Sequence, residues 1–357
     1  MTTDNAFELD GRPLGFEDGE TIFEAAHRVG TAIPSLCYDP RLEAFGGCRM
    51  CVVEVEGMGK PVASCTTRIT PGMVVKTRTP RIDRVRKTLL EMVLSENPDR
   101  EVSADRGLAA SEMNDLARRL DVERGRFAGA TSGRSRPADD NPFILRDYDL
   151  CISCYRCVRV CAEREGDYAL GVKGRGFATQ IAAGFDGALG ASTCTYCGQC
   201  VQTCPTGALG DKQIMRFESL PAEPKTTRTV CAYCGVGCSL DLVTKGDRLV
   251  GVRPAMDGPA NLGALCVKGQ FAYDFVQHED RLKTPLVRND AGELVPASWD
   301  EALDRAARGL TESIAKHGRK SVYGVASGRA PNEAAYAMQK LMRMLSGAHY
   351  IDNCSRA

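Results

Sequence analysis

Sixteen of the chain's seventeen cysteines fall into four groups of four closely spaced residues. In chain order the groups are Cys37, Cys48, Cys51 and Cys65; Cys151, Cys154, Cys157 and Cys161; Cys194, Cys197, Cys200 and Cys204; and Cys231, Cys234, Cys238 and Cys266. Only Cys354 stands outside them. Spacings of two or three residues let one short peptide wrap a small inorganic core, so the pattern predicts iron–sulfur cluster ligands and an electron-transfer role.

Three other uses of cysteine fit the pattern less well. Zinc ribbons separate two Cys-x2-Cys pairs by a long spacer, whereas gaps of two, two and three residues crowd a tetrahedral ion. Disulfide scaffolds suit short secreted chains, and this chain has 357 residues and no secretory start. Buried apolar thiols would not need such regular spacing.

Bulk composition limits the partners. The chain has 46 Lys and Arg residues and 46 Asp and Glu residues. Its net charge therefore creates no overall positive potential that would favour binding to nucleic acid or to an anionic membrane. No apolar run reaches the length of a membrane span, so we expect a cytoplasmic protein without a membrane span or a nucleic-acid partner. Four small modules bury little apolar surface each, and we expect bound clusters to supply folding free energy.

The elements around the first group predict a β-grasp 2Fe-2S ferredoxin domain over residues 1–80. Asp10-Gly11 joins two short apolar segments as a hairpin, and Thr21 with Glu24 forms a capping box for a helix that ends at Gly30. Strand-like segments follow at 51–56 and 73–78. The first gap of ten residues is longer than the four of plant-type ferredoxins, and Gly46-Gly47 would let backbone amides approach the sulfides.

A cysteine-free helical segment follows over residues 81–145, with helices predicted at 85–95 and 112–120 and a flexible linker at 129–140. The second and third groups repeat the same run, which is typical of a bacterial two-cluster 4Fe-4S ferredoxin domain over 146–222. In that arrangement the fourth cysteine of each run crosses over, so Cys161 joins the third group and Cys204 joins the second. Gly171, Gly174 and Gly176 predict a loop or hairpin rather than a dinucleotide site.

The last group lies in a further 4Fe-4S domain at residues 223–284, after which strand and helix signals alternate. We predict a helix from a Ser298–Glu301 capping box to about residue 315, a strand at 321–325, a helix at 332–345 and a strand from 350. This is the start of an incomplete α/β domain over 285–357. The predicted fold class is therefore α+β multidomain.

With its four groups in this order, the chain resembles catalytic subunits of cytoplasmic NAD-linked molybdenum or tungsten formate dehydrogenases, which are related to the large iron–sulfur subunit of complex I. The resemblance runs end to end. The motifs that carry it include NPFILRDYDLCISCYRCVRVC from Asn141, CTYCGQCVQTCPTGAL from Cys194, CAYCGVGCSL from Cys231, LCVKGQFAYDFVQHEDRLKTPLVR from Leu265 and SGRAPNEAAYAMQKLMR from Ser327.

The resemblance implies one 2Fe-2S cluster, three 4Fe-4S clusters and, in the full-length enzyme, a molybdenum or tungsten bis(molybdopterin guanine dinucleotide). Lys268 would then lie between the nearest 4Fe-4S cluster and the pterin. Electrons from formate would pass along the clusters to a flavin/NAD-binding partner subunit. The alternative is a non-catalytic electron-transfer subunit of a complex I-like or NAD-linked hydrogenase assembly.

Two departures from the resembled family stand out. Relatives like complex I place one histidine and three cysteines after the first domain, but here Asn97 stands where the histidine would fall and no cysteine follows, so that cluster is expected to be absent. The sequence IDNCSRA resembles the segment just before the metal-binding cysteine or selenocysteine. We expect that the reading frame closes early at a selenocysteine codon, and the alternative is a frameshift or a deliberate fragment. No side chain is assigned as a catalytic acid, base or nucleophile.

Overall fold

The computed structural model describes residues 5–98, 111–127, 141–217, 219–347 and 350–354. The chain divides into two compact units, residues 1–220 and 221–357. The five domain boundaries expected from the sequence stay predictions. The expected linker at 129–140 lies outside the described residues, as do most of the segment after Asn97 and the last three residues of the chain.

A five-stranded mixed sheet opens the first unit. Its strands are β1 Ala6–Leu9, β2 Arg12–Gly15, β3 Val52–Val55, β4 Val62–Ala63 and β5 Val74–Lys76. They lie in the order β2-β1-β5-β3-β4, with β1 and β5 parallel. The predicted hairpin is confirmed, with Leu9 opposite Arg12 across the turn. Strand β4 was not predicted because it has only two residues.

Helix α1, Ile22–Arg28, covers this sheet and begins at the predicted capping box. The Thr21 side chain accepts the Glu24 backbone N–H while the Glu24 carboxylate accepts the Thr21 N–H, so two free donors of the first turn are satisfied. The apolar face of α1 joins a buried core with the inner faces of the strands, and this core also holds Cys51 and Cys65. The first domain thus has an apolar core to which two of its cysteines contribute.

Two helices follow, α2 Pro80–Ser95 and α3 Glu112–Arg119. The start of α2 lies five residues before the predicted one, because Thr79 caps it and Pro80 occupies the first turn, where a missing N–H costs nothing. Both helices pack on a second apolar cluster that contains Leu36 and Met50, residues beside the first cysteine group.

The next segment has little regular structure. Its elements are β6 Ile144–Arg146, α4 Arg156–Val160, β7 Leu170–Lys173, β8 Gln180–Ala183, α5 Gln199–Gln202, β9 Leu209–Asp211 and α6 Lys212–Met215. Strand β6 pairs with β9, and β7 pairs with β8, both antiparallel. The second pair confirms the hairpin predicted from the glycines at 171, 174 and 176.

The second unit opens with an antiparallel sheet of β10 Pro224–Val230, β11 Ser239–Lys245 and β12 Arg248–Pro254, followed by the short helix α7 Val267–Phe271. A small hairpin comes next, β13 Leu286–Arg288 with β14 Leu294–Pro296.

The alternating part then contains α8 Trp299–His317, β15 Gly324–Ala326, α9 Asn332–Ser346 and β16 Ile351–Asn353. Strands β15 and β16 are parallel with α9 between them, so the predicted α/β alternation is confirmed. Strand β15 begins later than predicted because Arg319–Ser321 forms a 3₁₀ turn. Among the described residues, we find no helix whose length and apolar character would let it cross a bilayer.

Candidate metal centres

The first cysteine group lies in the loop that leads from α1 into β3 and β4. Cys37, Cys51 and Cys65 are buried and Cys48 is half-buried. The sulfurs form two pairs: Cys51 and Cys65 have Sγ atoms 3.4 Å apart, and the Cys37 and Cys48 thiols interact with each other. Two thiolates that bind one tetrahedral metal with bonds of about 2.3 Å have their sulfurs roughly 3.8 Å apart. Each of the two sulfur pairs could therefore bind one iron, which fits a core with two irons.

Backbone amides face the sulfurs of this group. The Leu36 N–H donates to Cys48 Sγ and the Cys48 N–H donates to Cys37 Sγ, each at 3.4 Å, while the Gly47 N–H also faces Cys37. Hydrogen bonds from the Cys37 thiol and from the N–H groups of Leu36, Met50 and Cys37 lower the pKa of Cys48 to about 5 despite its burial. Such donors favour thiolate ligands and help to set a cluster's potential.

The second and third groups exchange their fourth cysteines, so that each of these two residues lines the cavity of the other group. One cavity is lined by Cys161 together with Cys194, Cys197 and Cys200, and another by Cys204 together with Cys151, Cys154 and Cys157. Apolar side chains complete the walls, among them Leu170 and Leu209 in the first cavity and Ile152 and Ile181 in the second. The structure therefore places Cys161 with the third group and Cys204 with the second, as the sequence of a two-cluster ferredoxin predicts.

The two runs wrap their cavities with the same backbone conformation. Ser153 and Tyr196, each two residues after the first cysteine of its run, have φ of 54° and 57°. Tyr155 and Gly198, two residues further, have φ of 62° and 77°. These left-handed positions turn the loop around the cavity, and the N–H groups of Ser153 and Tyr196 donate to the first sulfur of each run at 3.4 Å.

Burial dominates the electrostatics of these two cavities. It raises the pKa of Cys154 and of Cys197 to about 12, and it raises the pKa values of Cys157 and Cys200 well above their usual range. Among the described residues, no three His, Cys, Asp or Glu side chains converge as ligands of one metal ion would. Cluster ligands differ from such ligands because each thiolate of a 4Fe-4S core binds a different iron.

The fourth group lies at one end of the three-stranded sheet. Cys231 follows β10, Cys238 precedes β11, and their backbones are joined by a 2.8 Å hydrogen bond from the Cys231 N–H to the Cys238 carbonyl. Burial raises the pKa of the Cys238 thiol, and the neighbouring Cys231, Cys234 and Cys266 raise it further, so all four lie within electrostatic reach. Cys266 is exposed at the start of α7.

Two polar residues of the second unit stand near this group. Lys268 is half-buried on α7, two residues after Cys266. Asn332, at the start of α9, donates from its side-chain amide to the Gly235 carbonyl at 2.9 Å, inside the Cys234–Cys238 loop. The alternating α/β part is thus tied directly to the cysteine loop.

Sequence reasoning missed a set of contacts made by residues 38–47, which we call the docking loop. Asp39 is buried, accepts hydrogen bonds from Arg41 at 2.7 and 2.9 Å, and accepts one from Thr203 at 2.7 Å. Burial alone would raise its pKa, but these donors outweigh burial and hold the pKa well below its usual range. The only signal in the sequence was the first gap of ten residues.

Asn97, the histidines and Cys354 are outside the four cysteine groups. Asn97 is buried. His27 is exposed and stacks on Phe23 at 4.4 Å, and His278 is exposed, while His349 lies outside the described residues. Cys354 is exposed directly after β16, with its Sγ 3.8 Å from Ser327 Oγ.

Four protein families match the chain in succession. A 2Fe-2S iron–sulfur cluster binding domain matches residues 5–80, and the ferredoxin-like domain of NADH-quinone oxidoreductase subunit 3 matches 141–210. The molybdopterin oxidoreductase Fe4S4 domain matches 224–278, and the molybdopterin oxidoreductase family matches 281–357. The four matches contain the four cysteine sites and the alternating α/β part.

Whole-chain comparisons agree with these matches. The chain is 37% identical to a subunit of the NADH-quinone oxidoreductase of Rhizobium meliloti over 98% of its length and 40% of that protein. It is 30% identical to a putative formate dehydrogenase of Staphylococcus haemolyticus, over 98% of the chain and 39% of the relative. The chain thus spans about 40% of the length of these relatives.

A solved structure is also similar. A chain of an NAD+-reducing [NiFe]-hydrogenase in its H2-reduced state superposes with a TM-score of 0.52 at 32% identity, covering 58% of this chain and 87% of that one. Because it is 32% identical over 87% of that chain, the chain belongs to the same protein family as the hydrogenase chain, and it combines 2Fe-2S and 4Fe-4S domains with segments that match the molybdopterin oxidoreductase families.

Proposed function

We propose that the chain is an iron–sulfur electron-transfer component of a multi-subunit oxidoreductase. The observation that carries this proposal is the exchange of fourth cysteines between two adjacent cavities, each lined by four sulfurs and apolar side chains. Zinc ribbons need no such exchange, whereas paired 4Fe-4S sites in two-cluster ferredoxins are built in this way.

The proposed cofactors are one 2Fe-2S cluster and three 4Fe-4S clusters, which supply one-electron carriers when bound. The first is held by Cys37, Cys48, Cys51 and Cys65, and the last by Cys231, Cys234, Cys238 and Cys266. Of the two clusters between them, one is held by Cys151, Cys154, Cys157 and Cys204, and the other by Cys161, Cys194, Cys197 and Cys200.

The chain's own contribution is to hold these sites in a fixed sequence and to adjust them. Apolar side chains form much of the lining of the two central cavities, and a low local dielectric constant strengthens electrostatic interactions there. Backbone N–H groups of Ser153, Tyr196 and Ala169 donate to cysteine sulfurs at 3.3–3.4 Å. Hydrogen bonds of this kind stabilise the more negative state and raise a cluster's potential.

We propose a partner subunit that binds flavin and NAD, and two relatives support its reaction with NAD. The hydrogenase structure belongs to a protein that reduces NAD+, and the Rhizobium meliloti relative is a subunit of an NADH-quinone oxidoreductase. The iron–sulfur sites of this chain would connect such a partner with the site of the second substrate.

For that substrate we propose formate, oxidised to carbon dioxide at a molybdenum or tungsten bis-pterin site in the complete protein. The Staphylococcus haemolyticus relative and the molybdopterin oxidoreductase match over 281–357 support this assignment. Lys268 is proposed to stand between the last cluster and the pterin, since it follows Cys266 on α7. The hydrogenase and NADH-quinone oxidoreductase relatives favour the second candidate, a subunit that transfers electrons without a pterin reaction.

Anaerobic reconstitution of the chain tests the electron-transfer proposal. We expect roughly fourteen irons per chain from one two-iron and three four-iron clusters, with EPR signals on reduction. Stoichiometric zinc with little iron would refute it. Formate-dependent dye reduction by the complete protein, loaded with its metal cofactor, then separates the two candidate functions.

A further inference from the structure

The docking loop connects the first cysteine site with the two central cavities through four polar contacts. Thr203, which precedes Cys204, donates its hydroxyl to Asp39, and Arg41 donates to the Gln199 side chain at 3.1 Å. The Glu43 N–H donates to Glu163 at 3.2 Å, while the Glu43 carbonyl accepts from Arg159. All these partners belong to the cysteine runs of the central segment or lie directly beside them.

An aromatic contact adds to the polar ones. The Phe45 ring meets the Tyr155 ring edge-on, with centroids 5.7 Å apart, and the Arg159 guanidinium lies 5.5 Å from the Phe45 centroid. Each contact has a geometry that stabilises aromatic pairs or cation–aromatic pairs.

Tyr155 stands in a conformation that side chains rarely adopt. Its φ is 62°, and the matching position of the second run is Gly198, which takes this conformation freely. A tyrosine here therefore costs backbone strain that a glycine would avoid. The contact of its ring with Phe45 offsets this cost, and a glycine, which has no side chain, could not make that contact.

The apolar interior continues between the same two sites. Cys48 and Ile152 both pack against the cluster formed by Leu36, Met50, Leu90 and their neighbours. Ile152 also lines the cavity of Cys151, Cys154, Cys157 and Cys204. Tyr155 lines the same cavity, and Thr203 is bonded to its Cys204. Two partners of the docking loop, Tyr155 and Thr203, thus belong to or adjoin this cavity, whereas Gln199 lines the neighbouring cavity.

We propose that the docking loop fixes the 2Fe-2S site at a set distance from the Cys151/Cys154/Cys157/Cys204 site, with Asp39, Arg41 and Phe45 as positioning residues. This inference rests on the proposed electron-transfer function and adds which residues control one step of it. The long first gap then has a physical reason: four residues would not reach Gln199, Thr203 and Tyr155 while still turning back to Cys48.

The experiment compares interface variants with matched variants inside one domain. Thr203→Val removes a buried hydroxyl that donates to Asp39 at 2.7 Å, and Thr77→Val removes a buried hydroxyl that donates to Asp10 at 2.5 Å within the first domain. Arg41→Lys breaks a bidentate contact with Asp39, and Arg28→Lys breaks a bidentate contact with Glu20 away from the interface.

The first readout is the distance distribution between the two reduced clusters, measured by pulsed EPR on the loaded full chain. The second is hydrogen exchange at the Arg41 and Glu43 amides, which donate to Asp39 and Glu163. Thr203→Val and Arg41→Lys should broaden the distribution and speed this exchange roughly tenfold, with iron content unchanged. Thr77→Val and Arg28→Lys should match the wild type in both measurements.

The outcomes separate the two proposals. Interface variants that keep full iron content, a narrow distribution and slow exchange would overturn the positioning role alone. A wild-type chain without iron would overturn the electron-transfer proposal and this inference with it, and iron analysis reveals that before any variant is compared.

Discussion

At the scale of single residues, the sites depend on which sulfur faces which cavity. Cys161 belongs in sequence to the run of Cys151 but lines the cavity of Cys194, and Cys204 does the reverse. A thiolate is a ligand only where it reaches its iron, so the cavity rather than the run determines which cluster a substitution removes.

Cys161→Ser is therefore expected to remove the same cluster as Cys194→Ser, and Cys204→Ser the same cluster as Cys151→Ser. Each variant should lose up to four of roughly fourteen irons, since one ligand is missing from one four-iron site. EPR spectra of the four reduced variants measure this. Spectra that grouped Cys161→Ser with Cys151→Ser would contradict the exchange.

A second residue-scale feature is the close approach of Gly47 to Phe45. A Cβ on Gly47 would lie 2.4 Å from a Phe45 ring atom, whereas a Cβ on Gly59 would meet nothing within 4 Å. Neither glycine has a left-handed backbone, so substitution by alanine tests space alone.

Gly47→Ala is expected to displace the exposed Phe45 ring from Tyr155 and to lower the free energy of unfolding by about 0.5 to 1.5 kcal/mol, the contribution of an aromatic pair. Gly59→Ala should stay within about 0.5 kcal/mol of the wild type. Denaturant unfolding of the loaded chain, followed by the 2Fe-2S absorption, compares the two. Equal stability of both variants would show that Phe45 moves aside without cost.

At the scale of elements, helix α2 supports the first cysteine site through one buried cation. The Arg86 guanidinium donates to the carbonyls of Met50 and Val52, at 3.1 and 2.8 Å, on either side of Cys51. Burial lowers its pKa, which the nearby Asp83 and Cys51 partly counteract. A buried cation beside thiolate ligands favours the reduced, more negative state of a cluster.

Arg86→Met is therefore expected to lower the potential of the 2Fe-2S site by on the order of 50 mV. It should also destabilise the chain by about 1 to 3 kcal/mol, because two carbonyls lose their donor. Redox titration monitored by EPR measures the first effect. Arg81→Met is the control, since Arg81 lies on the same helix but is exposed and pairs with Glu54 at 3.7 Å. An unchanged potential in Arg86→Met would show that the cation is screened from the cluster.

At the scale of the whole molecule, the parts of the first unit differ in how much they depend on their cysteines. Residues 5–80 have a five-stranded sheet and an apolar core under α1. Residues 141–217 have only two-stranded sheets and short helices around the two central cavities. A segment with so small a core gains much of its folding free energy from bound metal.

Removal of the clusters by an iron chelator under oxidising conditions should therefore unfold residues 141–217 while the sheet of residues 5–80 stays protected. Hydrogen exchange measured by mass spectrometry before and after removal tests this order. Simultaneous loss of protection in both segments would mean that the docking loop couples their folding completely.

The sequence by itself determined the ligand chemistry and most elements, because both depend on local spacing. Each of these features depends on a few neighbouring residues. They are the cysteine groups, the Thr21 capping box, the Asp10-Gly11 turn and the alternating segment after Ser298. The assignment of Cys161 to the third group and of Cys204 to the second was predicted only because a repeated run has a known geometry.

Only the tertiary structure decided how the sites are held against one another. Asp39 and Thr203 are 164 positions apart, and Phe45 and Tyr155 are 110 apart, so no periodicity relates them. The buried position of Arg86 likewise follows from how α2 packs on β3, since an arginine in a helix is ordinarily exposed. Contacts of this kind depend on three-dimensional packing, which a pattern of neighbouring residues does not encode.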